Sequence, residues 1–266
     1  MSKKIGMVID LHNCVGCGAC ALACKNENNT QARSNGQSFN WADFTMKTEG
    51  VFPDVTYVQT PVLCNHCTNA PCVEECPVEP KAMFKAADGS VIFNEERCIG
   101  CGACQAACPY SAEKLDEASN TGETYSVISF NPFKKPVQPE WQETATAIPG
   151  CTSSGAEVAK AAGAAVPGAN MFTSGDYQPV RKEGVIEKCT FCYHKTSAGE
   201  LPSCVEACPA DARIFGDQND AGSAIAKALA AHKATVLKEE EGTKPNVFYI
   251  RSYNDQIGRA SCRERV

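Results

Sequence analysis

The stretch CIGCGACQAACP, residues 98–109, spaces four cysteines as C-x2-C-x2-C-x3-C and follows them with a proline. This is the bacterial ferredoxin spacing, in which the first three thiolates bind one [4Fe–4S] cluster and the fourth binds a neighbouring cluster. This stretch therefore predicts a second group of cysteines, which binds the neighbouring cluster and supplies the fourth ligand of the first cluster.

Three further groups of cysteines occur along the chain. CVGCGACALAC at 14–24 matches CIGCGACQAAC at 98–108 in eight of eleven positions, and CVEECP at 72–77 resembles CVEACP at 204–209. The four groups are Cys14-Cys17-Cys20-Cys24, Cys64-Cys67-Cys72-Cys76, Cys98-Cys101-Cys104-Cys108 and Cys189-Cys192-Cys204-Cys208. Groups one and three share one pattern, and groups two and four share another. This alternating order indicates duplication of a two-cluster ferredoxin, and four groups predict four [4Fe–4S] clusters.

Disulfides and zinc are the competing explanations for sixteen grouped cysteines among eighteen. A disulfide framework is typical of small secreted chains, and this sequence has 266 residues with no secretory segment near Met1. Zinc sites use paired C-x2-C knuckles, but the run of three cysteines plus a fourth before proline is not zinc-ribbon spacing. The two remaining cysteines, Cys151 and Cys262, are expected to bind no metal, Cys151 as a free thiol in a loop.

Composition excludes several classes of function. The net charge of −6 provides no basic surface for nucleic acid or anionic lipid. No apolar stretch is long enough to span a membrane, and the segment from Ser223 to Lys233 predicts an amphipathic helix. Four basic residues lie beside the cysteine groups: Lys25, Arg97, Lys188 and Lys195. They are expected to be solvated surface charges; the alternative is that they offset some of the negative charge of the clusters.

Local patterns predict an α+β fold with short strands and short helices around the clusters. Strands are predicted before the cysteine groups, at Ile5–Ile9, Val91–Phe93 and Val185–Ile186. Helices are predicted within the groups, at Ala19–Lys25 and Ala103–Cys108. Glycines at 16, 18, 100 and 102 allow the backbone to wrap closely, and Pro77, Pro109 and Pro209 stop helices.

Connection lengths favour a nested pairing of the groups, although sequential pairing remains the alternative. Only 21 residues separate groups two and three, which predicts an inner dicluster ferredoxin-like domain at 61–112. Groups one and four would then form an outer, discontinuous dicluster domain from residues 1–60 and 184–256.

Two segments lie outside these domains. Residues 113–183 contain no cysteine group and predict a long insertion that lies over the surface and contacts a partner, with one strand at Tyr125–Asn131. Residues 257–266, IGRASCRERV, correspond to one reading frame of a common sequencing adapter and are interpreted as an artefact.

The sequence offers no catalytic residues of its own. It lacks a dinucleotide-binding glycine motif, a P-loop and a nucleophile placed with a base. His66 and His194 lie beside cysteines, where we expect them to hydrogen-bond or pack, whereas His12 and His232 are expected on the surface.

The chain resembles the four-cluster iron–sulfur subunits of the molybdopterin oxidoreductases, the dimethyl sulfoxide reductase superfamily. The resemblance covers residues 1–256 and is carried by CVGCGACALACKNENNT at 14–30, LCNHCTNAPCVEECP at 63–77, CIGCGACQAACPY at 98–110 and KCTFCYHK at 188–195. EGVFPDVTY at 49–57 and VFYIRSY at 247–253 are most similar to respiratory arsenate reductases.

This resemblance implies which cysteines share a cluster. Set 1 comprises Cys14, Cys17, Cys20 and Cys208; set 2 comprises Cys64, Cys67, Cys72 and Cys108; set 3 comprises Cys98, Cys101, Cys104 and Cys76; set 4 comprises Cys189, Cys192, Cys204 and Cys24. Every position is cysteine, so all four clusters are expected to be [4Fe–4S].

The resemblance also implies partners and a location. The expected function is to relay electrons from a quinol-linked membrane donor, such as an anchor subunit or a cytochrome, to a molybdopterin catalytic subunit. The substrate implied is arsenate, with thiosulfate, polysulfide or tetrathionate as alternatives, and a free-standing soluble polyferredoxin is the rival function. The expected location is the periplasm, by co-export with the catalytic subunit; the alternative is the cytoplasm.

Overall fold

The computed structural model describes residues 3–30, 40–111, 113–114, 124–131, 133, 161–163 and 182–252. Most of the predicted insertion, the tail at 257–266, Cys151 and Cys262 lie outside these residues. Helices and strands are both present, which confirms the α+β class.

The strands and helices are mostly short, as predicted. The strands are β1 Ile5–Asp10, β2 Ala42–Val51, β3 Asp54–Leu63, β4 Met83–Lys85, β5 Val91–Phe93, β6 Glu113–Lys114, β7 Thr124–Tyr125, β8 Ile128–Phe130, β9 Ile186–Lys188, β10 Arg213–Asp217, β11 Ala234–Thr235 and β12 Val247–Ile250. The helices are α1 Ala19–Asn28, α2 Pro71–Glu74, α3 Ala103–Ala107, α4 Tyr193–Thr196, α5 Ser203–Glu206 and α6 Ala224–Ala231, with a 3-10 turn at Glu239–Glu241.

The main sheet has the strand order β10-β1-β12-β11, with β1 antiparallel to β10 and parallel to β12. Successive side chains of a strand point to opposite faces. Met7 and Ile9 accordingly pack into the core that contains the cysteines, whereas Val8 packs against Ile225 of α6 on the other face. This layer of helix and sheet holds the first cysteine group beside the last.

The same strand pairing occurs twice, once for each pair of cysteine groups. The strand before group three pairs antiparallel with the strand after group two, with Phe93 opposite Met83. The strand before group one pairs in the same way with the strand after group four, with Ile9 opposite Arg213. Ile9 and Phe93 each lie five residues before the first cysteine of their group, and an alanine precedes both Met83 and Arg213. The two pairings therefore have equivalent registers.

A long hairpin departs from the expectation that all strands are short. β2 and β3 have ten residues each and pair along their full length from Ala42 opposite Leu63 to Val51 opposite Asp54. The inner half is buried, and the tip exposes Val51 and Phe52. The sequence did not predict this hairpin, because the apolar positions of β2 are not continued at Thr48 and Gly50 near the tip.

The segment around residues 124–131 corrects another expectation. The sequence predicts an insertion on the surface with one strand at Tyr125–Asn131, but Tyr125, Val127 and Ile128 are buried in the core. β8 pairs antiparallel with β9, directly before the fourth cysteine group. Its apolar side chains are therefore part of the packing around the cysteines, and the predicted strand divides into β7 and β8.

Within the described residues, no helix has both the length and the apolar character required to cross a membrane. The predicted amphipathic helix at 223–233 is α6, which begins after its N-cap Ser223, whose side-chain oxygen accepts a hydrogen bond from the Ala226 amide at 3.1 Å.

Candidate metal centres

The structure brings the thiols of set 1 together around one cavity. Cys14, Cys17, Cys20 and Cys208 line this cavity, although Cys208 is 184 residues from Cys24, the last cysteine of the first group. β1 and β10 place them there, because these neighbouring strands lead into the first group and out of the fourth.

Sets 2 and 3 are arranged in the same way. Cys64, Cys67, Cys72 and Cys108 line one cavity. Cys76, Cys98, Cys101 and Cys104 line another. In each case three cysteines come from one group and the fourth from the other, and α2 and α3, which carry Cys72 and Cys104, pack against each other.

The thiols of set 4 are the most deeply buried. Burial raises the pKa of Cys24 well above its usual value, and the neighbouring sulfurs of Cys189, Cys204 and Cys192 raise it further. Burial likewise raises the pKa of Cys204 to about 11, although Arg213 opposes the shift. α1 packs on α5, and this contact brings Cys24 to the other three cysteines.

Burial acts in the same direction on the other sets. It raises the pKa of Cys67 to about 12, with Cys64 nearby adding to the effect, and the pKa of Cys104 to about 12, with Cys98 adding. A buried thiolate needs compensating positive charge. Iron supplies that charge in a cluster, because bound cysteines are deprotonated.

Donors of hydrogen bonds reach several of the sulfurs. The backbone amides of Met83, Phe191 and Ala212 donate to the sulfurs of Cys76, Cys189 and Cys208 at 3.5, 3.4 and 3.3 Å. The Asn28 side-chain amide donates to Cys24 Sγ at 3.5 Å and lies 4.0 Å from Cys192 Sγ. Such donors stabilise thiolates bound to iron.

The backbone at the first and third groups has the conformation that close wrapping requires. Gly18 and Gly102 adopt φ of 79° and 74° and begin α1 and α3. Gly16 and Gly100 adopt φ of 65° and 66°. These left-handed conformations strain residues with a Cβ, so the repeated glycines are explained by the repeated loop geometry.

The donor set fits iron–sulfur clusters. Among the described residues, the three cavities are lined by cysteines, apolar groups and a few neutral or basic side chains, with no aspartate, glutamate or histidine. In the same part of the chain, no group of three or more metal-ligating side chains converges closely enough to hold a single metal ion. Thiols that surround a cavity, rather than a point, suit a multinuclear cluster.

Two buried cations lie between the cysteine sets. Arg213 is 4% exposed, its Nη1 lies 3.8 Å from Cys204 Sγ, and its Nη2 has no hydrogen-bond partner among the residues that the structure describes. Burial alone would lower the pKa of Arg213, but the sulfurs of Cys204 and Cys20 raise it. Lys188 is fully buried and donates to the carbonyl oxygens of Val91 and Cys189, the latter at 2.7 Å.

The expectation that Lys188 is a solvated surface charge is wrong, because Lys188 is buried. The alternative, that it offsets charge of a cluster, stays a prediction. Lys188 lies in β9, whose three residues are all buried, and it lines the set 2 cavity. Arg213 was not singled out. The available signal was its position at the start of a strand, opposite Ile9, where the equivalent residue of the other repeat is Met83.

The histidines behave largely as predicted. His66 is fully buried, its Nδ1 accepts a hydrogen bond from the Val91 amide at 3.0 Å, and burial and the nearby Lys188 hold its pKa well below the usual value. His194 Nε2 contacts Glu27 Oε1 at 2.6 Å. His232 is exposed, whereas His12 is only partly exposed and its Nδ1 is buried.

His66 and Phe191 occupy equivalent positions, each directly before the second cysteine of its group. Their rings stack with centroids 3.6 Å apart and an interplanar angle of 14°, and both residues have positive φ. The stack joins the loop of Cys64 and Cys67 to the loop of Cys189 and Cys192, so sets 2 and 4 are neighbours.

Comparisons with known proteins agree with this chemistry. The sequence matches the family described as 4Fe-4S dicluster domain at residues 55–128 and 172–218, and the 4Fe-4S binding domain at residues 11–29. The protein therefore contains ferredoxin-like dicluster domains that bind [4Fe–4S] clusters.

Full-length relatives place these domains in one kind of protein. The chain is 42% identical over 254 residues to the arsenate respiratory reductase iron-sulfur subunit ArrB of Shewanella sp. (strain ANA-3), covering 94% of this chain and 97% of the relative. It is 34% identical to a tetrathionate reductase subunit of Salmonella typhimurium, covering 93% of this chain and 70% of the relative. It is 31% identical to a polysulfide reductase component of Wolinella succinogenes, covering 94% and 95%. The protein belongs to the family of iron–sulfur electron-transfer subunits of the dimethyl sulfoxide reductase superfamily.

Proposed function

We propose that the protein holds four [4Fe–4S] clusters, one on each of sets 1 to 4, and relays electrons to a molybdopterin catalytic subunit. The observation that carries the proposal is the grouping of the thiols: sets 1, 2 and 3 each surround a cavity, and Cys24 lies among the other thiols of set 4. When bound, the clusters carry single electrons, and the surrounding residues adjust their reduction potentials.

The sets follow one another in the order 1, 4, 2, 3. Cys20 of set 1 and Cys204 of set 4 both contact Arg213, and Cys64 of set 2 lies near Cys189 of set 4. Packing of α2 on α3 supports the last step, from set 2 to set 3. Electrons can therefore enter at one end of the series and leave at the other.

Exposure of the thiols supports the same order. Cys17 of set 1 and Cys101 of set 3 are exposed, whereas the described cysteines of sets 2 and 4 are buried or half-buried. Val15 beside Cys17 and Ile99 beside Cys101 are also exposed apolar residues. Partner proteins would approach the clusters most closely at these two ends.

The domain organisation that this proposal requires is an outer unit, residues 1–60 and 184–256, and an inner unit, residues 61–112. The matching registers of β1 with β10 and of β5 with β4 support an internal duplication. The stacked rings of His66 and Phe191 mark the junction between the two units.

The hairpin of β2 and β3 is the surface that we assign to the catalytic subunit. Its tip exposes Val51 and Phe52 at 81% and 88%, and Tyr57 on β3 is 57% exposed. Exposed apolar patches of this kind mark protein–protein contacts. β3 also places Gln59 against Gly16 of the set 1 loop, so a partner that contacts the hairpin would lie beside set 1.

Arsenate is the substrate that we propose for the catalytic subunit, because the relative that matches over nearly its whole length at 42% identity is an arsenate respiratory reductase subunit. A membrane quinol-linked donor completes the proposed relay, and the complex is proposed to function in the periplasm after export in the folded state. Thiosulfate, polysulfide or tetrathionate is the alternative substrate; the names of two other relatives point to tetrathionate and polysulfide.

One experiment tests the cofactor and the partner together. The protein, produced anaerobically with its own genomic neighbours, should purify with a molybdenum protein and contain about sixteen iron and sixteen acid-labile sulfide atoms, as four cubanes require. Dithionite-reduced complex should be reoxidised by arsenate. Reoxidation only by a sulfur oxyanion or polysulfide would reassign the substrate, and a monomeric protein that exchanges electrons without a partner would favour a free polyferredoxin.

A further inference from the structure

The cysteine cavities differ in the charge that lines them. Arg213 lines the cavity of set 1 and Lys188 that of set 2, whereas the described residues that line the set 3 cavity are cysteines and uncharged residues alone. Because the two halves of the fold have equivalent strand registers, this difference can be compared residue by residue.

Arg213 and Met83 are the equivalent residues. Each follows an alanine and begins the strand after the last cysteine of its group. Arg213 pairs with Ile9 and Met83 with Phe93, and both of these partners lie five residues before the first cysteine of the other group. Both side chains are buried. The outer unit therefore has a cation where the inner unit has a thioether.

The charged guanidinium of Arg213 faces the sulfurs of cysteines that belong to sets 1 and 4. Nη1 contacts Cys204 Sγ at 3.8 Å and the thioether sulfur of Met7 at 3.5 Å, and the guanidinium also reaches Cys20. Among the described residues it forms no salt bridge with a carboxylate, and its Nη2 is buried without a partner. An arginine that is always protonated but unpaired and buried would be costly unless anionic ligands faced it.

We propose that Arg213 is a positioned charge that raises the reduction potentials of the clusters on sets 1 and 4, and that Met83 leaves the cluster on set 3 without this stabilisation. This inference rests on the proposed binding of four clusters. Reduction adds negative charge to a cluster, and a nearby cation in a medium of low dielectric favours the reduced form. Solvent does not screen the interaction, because Arg213 is buried.

The test is an anaerobic redox titration of the purified complex, followed by EPR, with Arg213→Met and Arg213→Lys variants. Arg213→Met replaces the arginine by the residue that the other repeat uses at this position. We expect at least one couple to change its reduced-to-oxidised ratio at fixed potential by about tenfold, equivalent to about 59 mV downward for one electron. Arg213→Lys should recover most of the shift.

Iron content distinguishes a failure of the four-cluster proposal from a failure of the proposed effect of Arg213 on the potentials. If the unmutated complex contains far fewer than about sixteen iron atoms, the four-cluster proposal fails before the variant is considered. If the Arg213→Met variant keeps its full iron content and no couple moves, Arg213 is only structural and the inference is wrong.

A reciprocal variant keeps the inference testable if Arg213→Met does not bind its clusters. Met83→Lys adds a cation to the uncharged set 3 cavity and should raise one couple by about tenfold in the ratio. A fully loaded Met83→Lys protein in which every couple stays in place would overturn the inference.

Discussion

The exchange of Cys24 and Cys208 between distant groups can be tested by combining cysteine variants. Cys24→Ala should remove the cluster of set 4, because Cys24 is 4% exposed and bulk water does not reach that position as a substitute ligand. Iron should fall from about sixteen to about twelve atoms per chain. The structural reason is that Cys24 lies among Cys189, Cys192 and Cys204 rather than among the other cysteines of its own group.

Double variants test whether two cysteines bind the same cluster, by comparing their iron loss with the losses of the single variants. Losses at independent sites add, and losses at one site do not. Cys24→Ala with Cys189→Ala should lose no more iron than the more severe single variant, about four atoms for one cubane. Cys24→Ala with Cys14→Ala should lose the sum of the two single losses, up to about eight atoms.

Iron and acid-labile sulfide, measured on anaerobically purified monodisperse protein, provide the readout. Binding of all four cysteines of a group to one cluster predicts the reverse outcome: additive losses for Cys24 with Cys189, and no additional loss for Cys24 with Cys14. Sequential pairing, in which Cys24 completes the cluster of group two, predicts additive losses for both combinations. Either result would refute the nested arrangement. Cys151→Ser is the control, because this thiol belongs to none of the four sets and its replacement should leave the iron content unchanged.

Three further changes test other parts of the structure. Asp10→Asn should lower the free energy of unfolding by about 1.5–3 kcal/mol at pH 7, because Arg251 donates two hydrogen bonds to the Asp10 carboxylate. Phe52→Ser at the exposed hairpin tip should weaken binding of the catalytic subunit without loss of iron, measured by co-purification. Gly100→Ala should destabilise the third cysteine group by more than about 1–2 kcal/mol, because its Cβ would meet the Gly184 carbonyl oxygen as well as strain the backbone.

The pH dependence of the Asp10 variant has a definite sign. Burial alone would raise the pKa of Asp10, but Arg251 lowers it below 3.8. The stabilisation is therefore present above pH 3.8 and is lost as the pH falls through the lower folded value. The deficit of Asp10→Asn in thermal stability should be constant between about pH 6 and 8; a deficit that grows toward low pH would contradict the assignment.

Matched substitutions control the other two predictions. Leu201 is exposed but lies outside the hairpin, so Leu201→Ser should leave binding of the catalytic subunit unchanged. Gly102 has a positive φ like Gly100, but a Cβ there would meet no heavy atom within 4 Å. Gly102→Ala should therefore lose only the conformational contribution, and equal losses at the two glycines would show that the contact with Gly184 is unimportant.

The cysteine groups and their flanking elements could be predicted because their spacing is set by local chemistry. β1, β5, α1 and α3 lie within a few residues of their predicted positions, since the strands precede a cysteine group and the helices carry cysteines of one. The amphipathic period of α6 was also sufficient. In these places local sequence and tertiary structure agree.

The features that were missed depend on contacts between distant residues. Lys188 is adjacent to a cysteine in sequence, but its burial follows from the pairing of β9 with β8, which begins 58 residues earlier in a segment that the sequence places on the surface. Arg213 is distinguished only by comparison with Met83, and that comparison requires the strand registers. The full length of the β2–β3 hairpin likewise depends on its ten paired positions.

The internal duplication that we propose would explain why charge, rather than fold, distinguishes the two halves. Equivalent registers hold equivalent cysteine groups, so the backbone alone would give the inner and outer clusters similar surroundings. The differences lie in single side chains: Arg213 for Met83 at the strand, and Phe191 for His66 at the stacked loops. Buried side chains can give neighbouring clusters different potentials without altering the thiol geometry. We therefore expect substitutions at these paired positions to change potentials while iron content and overall fold remain the same.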